Sequence, residues 1–508
     1  MSENKINLGP GAWVHFVAIG GTGMGALAGL LKDQGFRVTG SDGPLYPPMS
    51  GFLSSKKIQI SSEYSVKNLS GKTWGFTDES PSLVIVGNAI SRGHVEAAEV
   101  ESLLLLKKVQ RLSFAQGLAE FAIGTKRSFV VCGTHGKTTT TSLLAWIFES
   151  IGKTPGFFIG GIPKNFSQGA RIGGNHCFVS EGDEYDTAYW DKESKFLHYR
   201  PSWVVCTGIE FDHADIFSSV EAIEKSFCKL TKLTREGWIL IDGQSAPRAS
   251  SVEVVAQALK EAKVKCLRYG QDPSSDYFLE KVEESPLPWK KQVLGTRLVI
   301  RTPELSKIEI FSPLSGMHNA LNLTGDIGAL LASGEVRSVD QIQKALMSFQ
   351  GIKRRQEEVV TKDSLVVIDD FAHHPTAISE TLKAVKGRYP GYKIAAFFEA
   401  RSATSARNIF ANAFSECFDL ADAVFLSPPT KTNIPEDQKL NVKKLVEDIV
   451  KRNPNLPVFL GKTNDELKMS FSQWARTLPH SLPVLALVMS NGPFGGIHTQ
   501  LHREEIGA

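Results

Sequence analysis

Short apolar runs recur along the chain, and each stops at glycines or carboxylates before helical spacing begins. Residues 14–19 read as a buried strand and residues 20–25 as a glycine-rich loop opening a helix through Leu31. A second strand follows over 36–39, ending at Ser41-Asp42, and residues 83–86 make another. Residues 129–131 form an apolar, mostly β-branched run ending at Gly133, after which Leu143, Leu144, Ile147 and Phe148 fall at helical spacing. The runs 176–179 and 203–206 lead into the acidic stretches 181–186 and 210–215. Val220, Ile223, Phe227 and Leu230 mark an amphipathic helix, and residues 61–77 read as a surface connection. Residues 265–312 alternate apolar with polar, which predicts strands and turns at a domain edge. Four further runs, 365–368, 393–398, 423–426 and 484–488, each end in a polar cluster.

Strand-then-helix alternation with near-continuous apolar strands predicts an α/β protein built on parallel sheets. At 508 residues the chain holds about three domains. We expect a Rossmann-like N-terminal domain over 1–125, a central P-loop ATPase-like domain over 126–350, and a doubly wound α/β C-terminal domain over 351–508.

The stretch Gly133-Thr134-His135-Gly136-Lys137-Thr138-Thr139 carries the sharpest chemistry. A strand, a glycine loop and a helix N-terminus together make a phosphate-binding loop, because backbone N–H groups and the helix dipole converge on an anion. Lys137 is placed to bridge β- and γ-phosphates, and Thr138 to offer its hydroxyl to Mg²⁺. A full Walker A pattern has glycine where this chain has Val131. A second loop, with Gly21, Gly23 and Ala26 followed by Asp42, fits a dinucleotide-type pattern. It suits NAD, the diphosphate of another nucleotide, or a tight turn that needs close packing. The acids after strands 176–179 and 203–206 belong beyond the carboxyl ends of the sheet, in the crevice that holds Lys137. With His213 they suggest Mg²⁺ ligands. Asn319 and Asn322 open a helix and could read a base edge or only cap the helix.

Charge and composition narrow the picture. Fifty-seven basic residues against 54 acidic ones leave a net charge of +3, too balanced to point to nucleic acid. No apolar run is long enough to span a membrane, and the first residues lack the plan of a signal peptide. Six cysteines without a CxxC pair read as reduced thiols in a cytoplasmic protein.

In this order the motifs resemble those of the Mur ligase family, the ATP-dependent amide-forming enzymes of bacterial cell-wall synthesis. The likeness covers nearly the whole chain: residues 20–25 with Ser41 and Asp42, 133–139, 181–186, Asp212-His213, 318–322, Arg354-Arg355 and 369–375. Within the family, residues 46–50, 210–217 and the closing 489–498 are similar to the branch that attaches a murein tripeptide rather than free L-alanine. The resemblance implies ATP and Mg²⁺ as cofactors. It implies UDP-N-acetylmuramate and L-Ala-γ-D-Glu-meso-diaminopimelate as small-molecule substrates, with the protein a monomer or homodimer. By motif position it places Gly133, Thr134, His135, Gly136, Lys137, Thr138, Thr139, Asn319, Asn322, Arg354 and Asp369 at ATP. Thr138, Glu181 and His213 would hold the metal, and Lys137, Glu181 and His213 would form the catalytic set. Gly21, Thr22, Gly23, Met24, Gly25, Ser41 and Asp42 would bind the UDP-sugar, and Arg401, Ser402 and Asn491 the acceptor. Several relatives carry a carbamylated lysine after the Asp-His motif, a region where this chain has Lys225 and Lys229. Ala400 stands where proline is expected. A nicotinamide oxidoreductase would leave the loop at Lys137 unexplained. A regulatory ATPase without ligase activity would leave the loop at Gly21 unexplained.

Overall fold

The computed structural model describes residues 6, 8–362, 364–429 and 434–501. Residues 1–5 and 7, on which the expectation about a signal peptide partly rests, lie outside the described residues. Three large sheets follow one another along the chain, with a two-stranded antiparallel ribbon, Asp186–Ala188 and Asp191–Ser194, as a fourth.

The first sheet has five parallel strands in the order Gln59–Ser61, Arg37–Ser41, Trp13–Val17, Leu83–Val86 and Gln110–Ser113. The order reverses at Trp13–Val17, and ligands of open α/β sheets bind outside the carboxyl ends of the strands at such a point. The strand expected over 14–19 stops at Val17, because Ala18 turns to φ 66° and the N–H groups of Ala18 and Ile19 both donate to the Ser41 carbonyl. The turn delivers Gly20 and Gly21 to the sheet's end. A Cβ on Gly20 would lie 2.4 Å from Leu45 and 2.7 Å from the Asp42 carboxylate, so any larger residue would have to displace those side chains. The expected surface connection over 61–77 holds local structure instead: a 3₁₀ turn Val66–Leu69 capped by Ser65, then a helical turn Gly71–Trp74. Burial of Leu69 and the Trp74 Nε1–H bond to the Asn68 carbonyl (2.8 Å) hold it down.

The central sheet has ten strands. Arg127–Cys132 lies between Trp203–Cys206 and Cys177–Glu181, all parallel, and the antiparallel strands Tyr277–Leu287, Lys290–Thr302 and Ser306–Ser312 form one edge. The edge expected over 265–312 is present over 277–312, whereas Lys265–Gly270 lies inside the sheet, parallel to Gly237–Ile241. The helix Lys137–Ser150 leaves Arg127–Cys132 through the phosphate-type loop and packs beside Met317–Ala332. The amphipathic helix is Val220–Thr231, with Ile223, Phe227 and Leu230 buried.

In the third sheet Glu357–Lys362 pairs antiparallel with Leu365–Asp370. The parallel series Leu365–Asp370, Val484–Met489, Lys393–Glu399, Ala423–Ser427 and Val458–Leu460 follows. The chain's last strand thus lies between its neighbours' carboxyl ends and gathers three distant polar clusters at one rim. Alternate residues feed two cores. Val366, Ile368, Phe398 and Leu487 pack on one face with Ile378 and Leu382, while Val367, Phe397 and Val488 pack on the other with Phe471 and Trp474. Both faces are covered, so the strands read as unbroken apolar runs. Among the described residues no helix is long and apolar enough to cross a membrane.

Candidate functional site

A cleft of about 580 Å³ opens where the phosphate-type loop faces the third sheet. Its floor is residues 134–139. Gly136 has φ +80°, and a Cβ there would stand 2.4 Å from the Asn322 carbonyl oxygen, so this glycine is required by backbone and by space together. Lys137 Nζ donates to the Gly133 carbonyl (2.6 Å) and reaches both Glu184 carboxylate oxygens (3.2 and 3.0 Å). Thr138 Oγ1–H donates to Glu181 (3.1 Å), and Arg355 donates to that same hydroxyl (3.0 Å). Asn319 and Asn322 are buried and line the cleft, and Asn319 Nδ2 donates to the Ser315 carbonyl (2.8 Å).

The electrostatics are unbalanced. Burial alone would pull Lys137 down, but Glu184, Glu181 and Asp183 together raise its pKa above the ordinary value. Glu184 shifts upward as well, which for a carboxyl favours the neutral form. Burial raises its carboxyl, and neither Lys137 nor His213 offsets that fully. Lys137 is surrounded by three carboxylates, while Glu184 is governed first by its burial. Asp183 is held below the usual carboxylate range despite its burial, by Lys195 and then Lys137. Burial also opposes ionisation of Asp212, yet His213 and His373 hold its carboxyl low, helped by the His213 backbone N–H at 2.7 Å. His213 has φ 56°, its Nε2 is 3.8 Å from Glu184, and its ring lies 4.4 Å from that of Tyr185. The cleft is thus rich in oxygen donors and short of cations, which suits a divalent hard cation such as Mg²⁺.

Several expected residues lie elsewhere. Arg354 turns away from the loop, donating to the Ser490 carbonyl (2.6 Å) and standing 3.5 Å from Asp369. Its neighbour Arg355 and the next acid, Asp370, line the cleft instead. Sequence spacing offers two adjacent arginines and two adjacent aspartates; alternation at the end of Leu365–Asp370 decides between the aspartates, and the turn at Arg354 (φ 61°) between the arginines. Lys225 is exposed and Lys229 pairs with Glu193 at 2.6 Å, so neither enters the cleft. Glu184 stands in the acidic stretch that the sequence marks, but only its contact with Lys137 singles it out.

Arg401, Ser402 and Asn491 gather at the rim of the third sheet. Arg401 lies against Gly492 and 3.9 Å from Glu399, Ser402 bonds Ser405 (2.8 Å), and the Asn491 side-chain oxygen is buried without a partner. Glu399 is itself buried and accepts from Ser490 Oγ (2.7 Å). A second cleft of about 340 Å³ lies at the switch point of the first sheet, lined by Gly20, Gly21, Met24, Asp42, Tyr64 and Asn88 among others. Asp42 accepts from the N–H groups of Gly20 (2.6 Å) and Gly43 (2.7 Å) and from Tyr64 Oη (3.0 Å). Thr22 begins the helix, and Gly23 and Gly25 are packing positions under Phe114 and Met49. Ser41 is buried and bonds Glu96 rather than facing this cleft.

Three family models match in order: the Mur ligase family catalytic domain over residues 13–123, the Mur ligase middle domain over 131–330, and the Mur ligase glutamate ligase domain over 354–466. The chain is 34% identical to the UDP-N-acetylmuramate–L-alanyl-gamma-D-glutamyl-meso-2,6-diaminoheptandioate ligase of Haemophilus influenzae, over 96% of this chain and 98% of that one. It is 32% identical to the UDP-N-acetylmuramate–L-alanine ligase of Syntrophomonas wolfei, over 76% of each. Among solved structures it is similar to a murein peptide ligase from Psychrobacter arcticus, with a TM-score of 0.64, 30% identity and 98% and 99% of the two chains covered.

Proposed function

The chain belongs to the Mur ligase family of ATP-dependent amide-forming ligases, and from that premise we propose that it joins UDP-N-acetylmuramate to L-Ala-γ-D-Glu-meso-diaminopimelate. The observation that carries the reading is Lys137 at the head of a helix, facing Glu181, Asp183 and Glu184 across a cleft that the third domain closes. The domain over 1–125 would hold the UDP-sugar on Gly21 and Asp42, that over 126–350 would hold Mg-ATP, and that over 351–508 would present the acceptor.

A carboxylate is a poor electrophile at neutral pH. Attack by a lactyl carboxylate oxygen on the γ-phosphorus of ATP, with ADP leaving, makes it an acyl phosphate. The peptide's amine then attacks the carbonyl carbon, the tetrahedral intermediate expels phosphate, and the amine's proton passes to a base in the cleft. Phosphoryl transfer of this kind depends on positioning and charge neutralisation. Lys137 meets the phosphates, Gly133 to Thr139 give backbone N–H groups, and Asn319 and Asn322 face the adenosine end. Thr138, Glu181 and His213 would hold Mg²⁺, which when bound neutralises phosphate charge. Arg355 and Asp370 bring the third domain's groups to the same cleft, while Arg354 and Asp369 brace that domain from behind. Arg401 offers a guanidinium, and Asn491 the N–H of a half-buried side-chain amide, to the peptide's carboxylates.

Phosphate release measured with each substrate omitted in turn tests this. Release that needs UDP-N-acetylmuramate, tripeptide, ATP and Mg²⁺ together is expected. Release in their absence would contradict it.

A further inference from the structure

Glu210 does not line the large cleft, yet it joins two of its walls. Its backbone N–H donates to Thr134 Oγ1 (2.8 Å), and Thr134 Oγ1–H reaches its carbonyl (3.0 Å), which seats it on the phosphate loop. Its side chain divides. One oxygen lies 2.9 Å from His135 Nε2, on the loop, and the other accepts from Thr376 Oγ1 at 2.9 Å, in the third domain. Thr376 stands in the first turn of the helix Pro375–Arg388, whose cap is His374. That helix start carries His373 and His374 into the cleft, and the His374 ring lies 4.8 Å from that of His135.

His135, Glu210 and His374 offer one ligand atom each within 4.8 Å of one another. The Thr376 N–H already donates to His374 Nδ1 (3.3 Å), and Nδ1 is the atom that faces Glu210, at 3.8 Å. His374 is thus not hydrogen-bonded to Glu210, and the linkage is better described as a hydrogen-bonded strut running from His135 through Glu210 to Thr376 than as an ion site. Glu210 is the carboxylate at its centre, and any rotation that serves one oxygen's partner moves the other's.

We propose that Glu210 is a positioning residue that couples nucleotide on the phosphate loop to docking of the third domain, so that the acceptor meets a loaded loop. The inference rests on the reading of the cleft as the ATP site. A phosphate held by the N–H groups of the loop fixes the direction of the His135 ring. The ring fixes one oxygen of Glu210, which leaves the other aimed at Thr376. Coupling of this kind is reciprocal, so acceptor must tighten nucleotide by the factor that nucleotide tightens acceptor.

The test measures binding of a non-hydrolysable ATP analogue by calorimetry, with and without the acceptor tripeptide, in wild type, Glu210→Ala, Thr376→Val, the double variant and Glu210→Gln. In wild type the tripeptide should tighten the analogue by roughly 5- to 150-fold. Each single variant should lose most of that factor, and the double variant should lose no more than either alone. Glu210→Gln, which keeps an acceptor oxygen and the volume, should retain part of it. Turnover in Glu210→Ala should fall by up to ~10²-fold, the scale of a small misplacement remote from the chemistry. Melting curves identify any variant whose fold is lost, and the Thr376→Val result then stands by itself, since its shape is conserved. An undiminished factor in folded variants, losses that multiply in the double variant, or no tightening in wild type would each overturn the proposal. No analogue binding in wild type would instead overturn the reading of the cleft.

Discussion

Replacing Lys137 by methionine keeps the length of the side chain and removes its charge. The ammonium is only 12% exposed and its partner Glu184 only 3%, so the pair is buried on both sides. Deleting one partner of such a pair costs about 3–5 kcal/mol, because the other charge is left without compensation. In this cleft the stranded charge is Glu184, beside Glu181 and Asp183, and its carboxyl is already raised by burial. Without Lys137 it rises further and takes up a proton in the folded state but not in the unfolded one. A group raised in this way contributes stability below its unfolded pKa and loses it as pH climbs to the folded value. The deficit of Lys137→Met should therefore be small near about pH 5 and grow by at most ~1.4 kcal/mol per pH unit above that, toward the full 3–5. Thermal melts of both proteins at about pH 5, 7 and 9 would show it as a shift of ~6–20 °C at the alkaline end, taking 2–4 °C per kcal/mol for a unit of 150–250 residues. Phosphate release should fall by at least ~10²-fold at every pH. A deficit independent of pH, or none, would refute the claim that Lys137 and Glu184 are one coupled pair.

Other expectations follow from single contacts. Gly136→Ala forces a Cβ into a left-handed backbone and against Asn322, and should cost ~1–3 kcal/mol in a denaturant melt and abolish nucleotide binding by calorimetry. Asp42→Asn removes a charged acceptor from two backbone N–H groups and Tyr64, and should raise KM for the UDP-sugar by roughly 10- to 100-fold while leaving ATP affinity unchanged. Asp326 is fully buried with neither carboxylate oxygen hydrogen-bonded, and burial pushes its carboxyl well above the ordinary value. The wild type then loses stability as pH rises through that range, so Asp326→Asn should match it near about pH 4 and exceed it at higher pH in denaturant melts.

Strand ends were the legible part of this chain. The apolar runs before Gly133, Glu181, Glu210, Asp369 and Ser490 all stop where the chemistry begins, because a parallel strand covered on both faces must be apolar until it emerges. Residue pairs were not legible. Periodicity along 354–355 and 369–370 cannot say which arginine and which aspartate face the loop, since that depends on a domain packed from a distant part of the sequence. Glu184 and Glu210 matter through partners far away in the chain, Lys137 in one case and Thr376 in the other. The turn at Ala18 leaves no mark in the local sequence, because its cause is a carbonyl on the neighbouring strand, that of Ser41.

The central claim concerns what is joined to what, and one comparison addresses it. With ATP, Mg²⁺ and UDP-N-acetylmuramate present, phosphate release is followed with free L-alanine and with the L-Ala-γ-D-Glu-meso-diaminopimelate tripeptide. Turnover with the tripeptide, and little or none with L-alanine, is the predicted result. Turnover with L-alanine alone would keep the family and the acyl phosphate chemistry but contradict the acceptor assigned to the rim of Arg401 and Asn491.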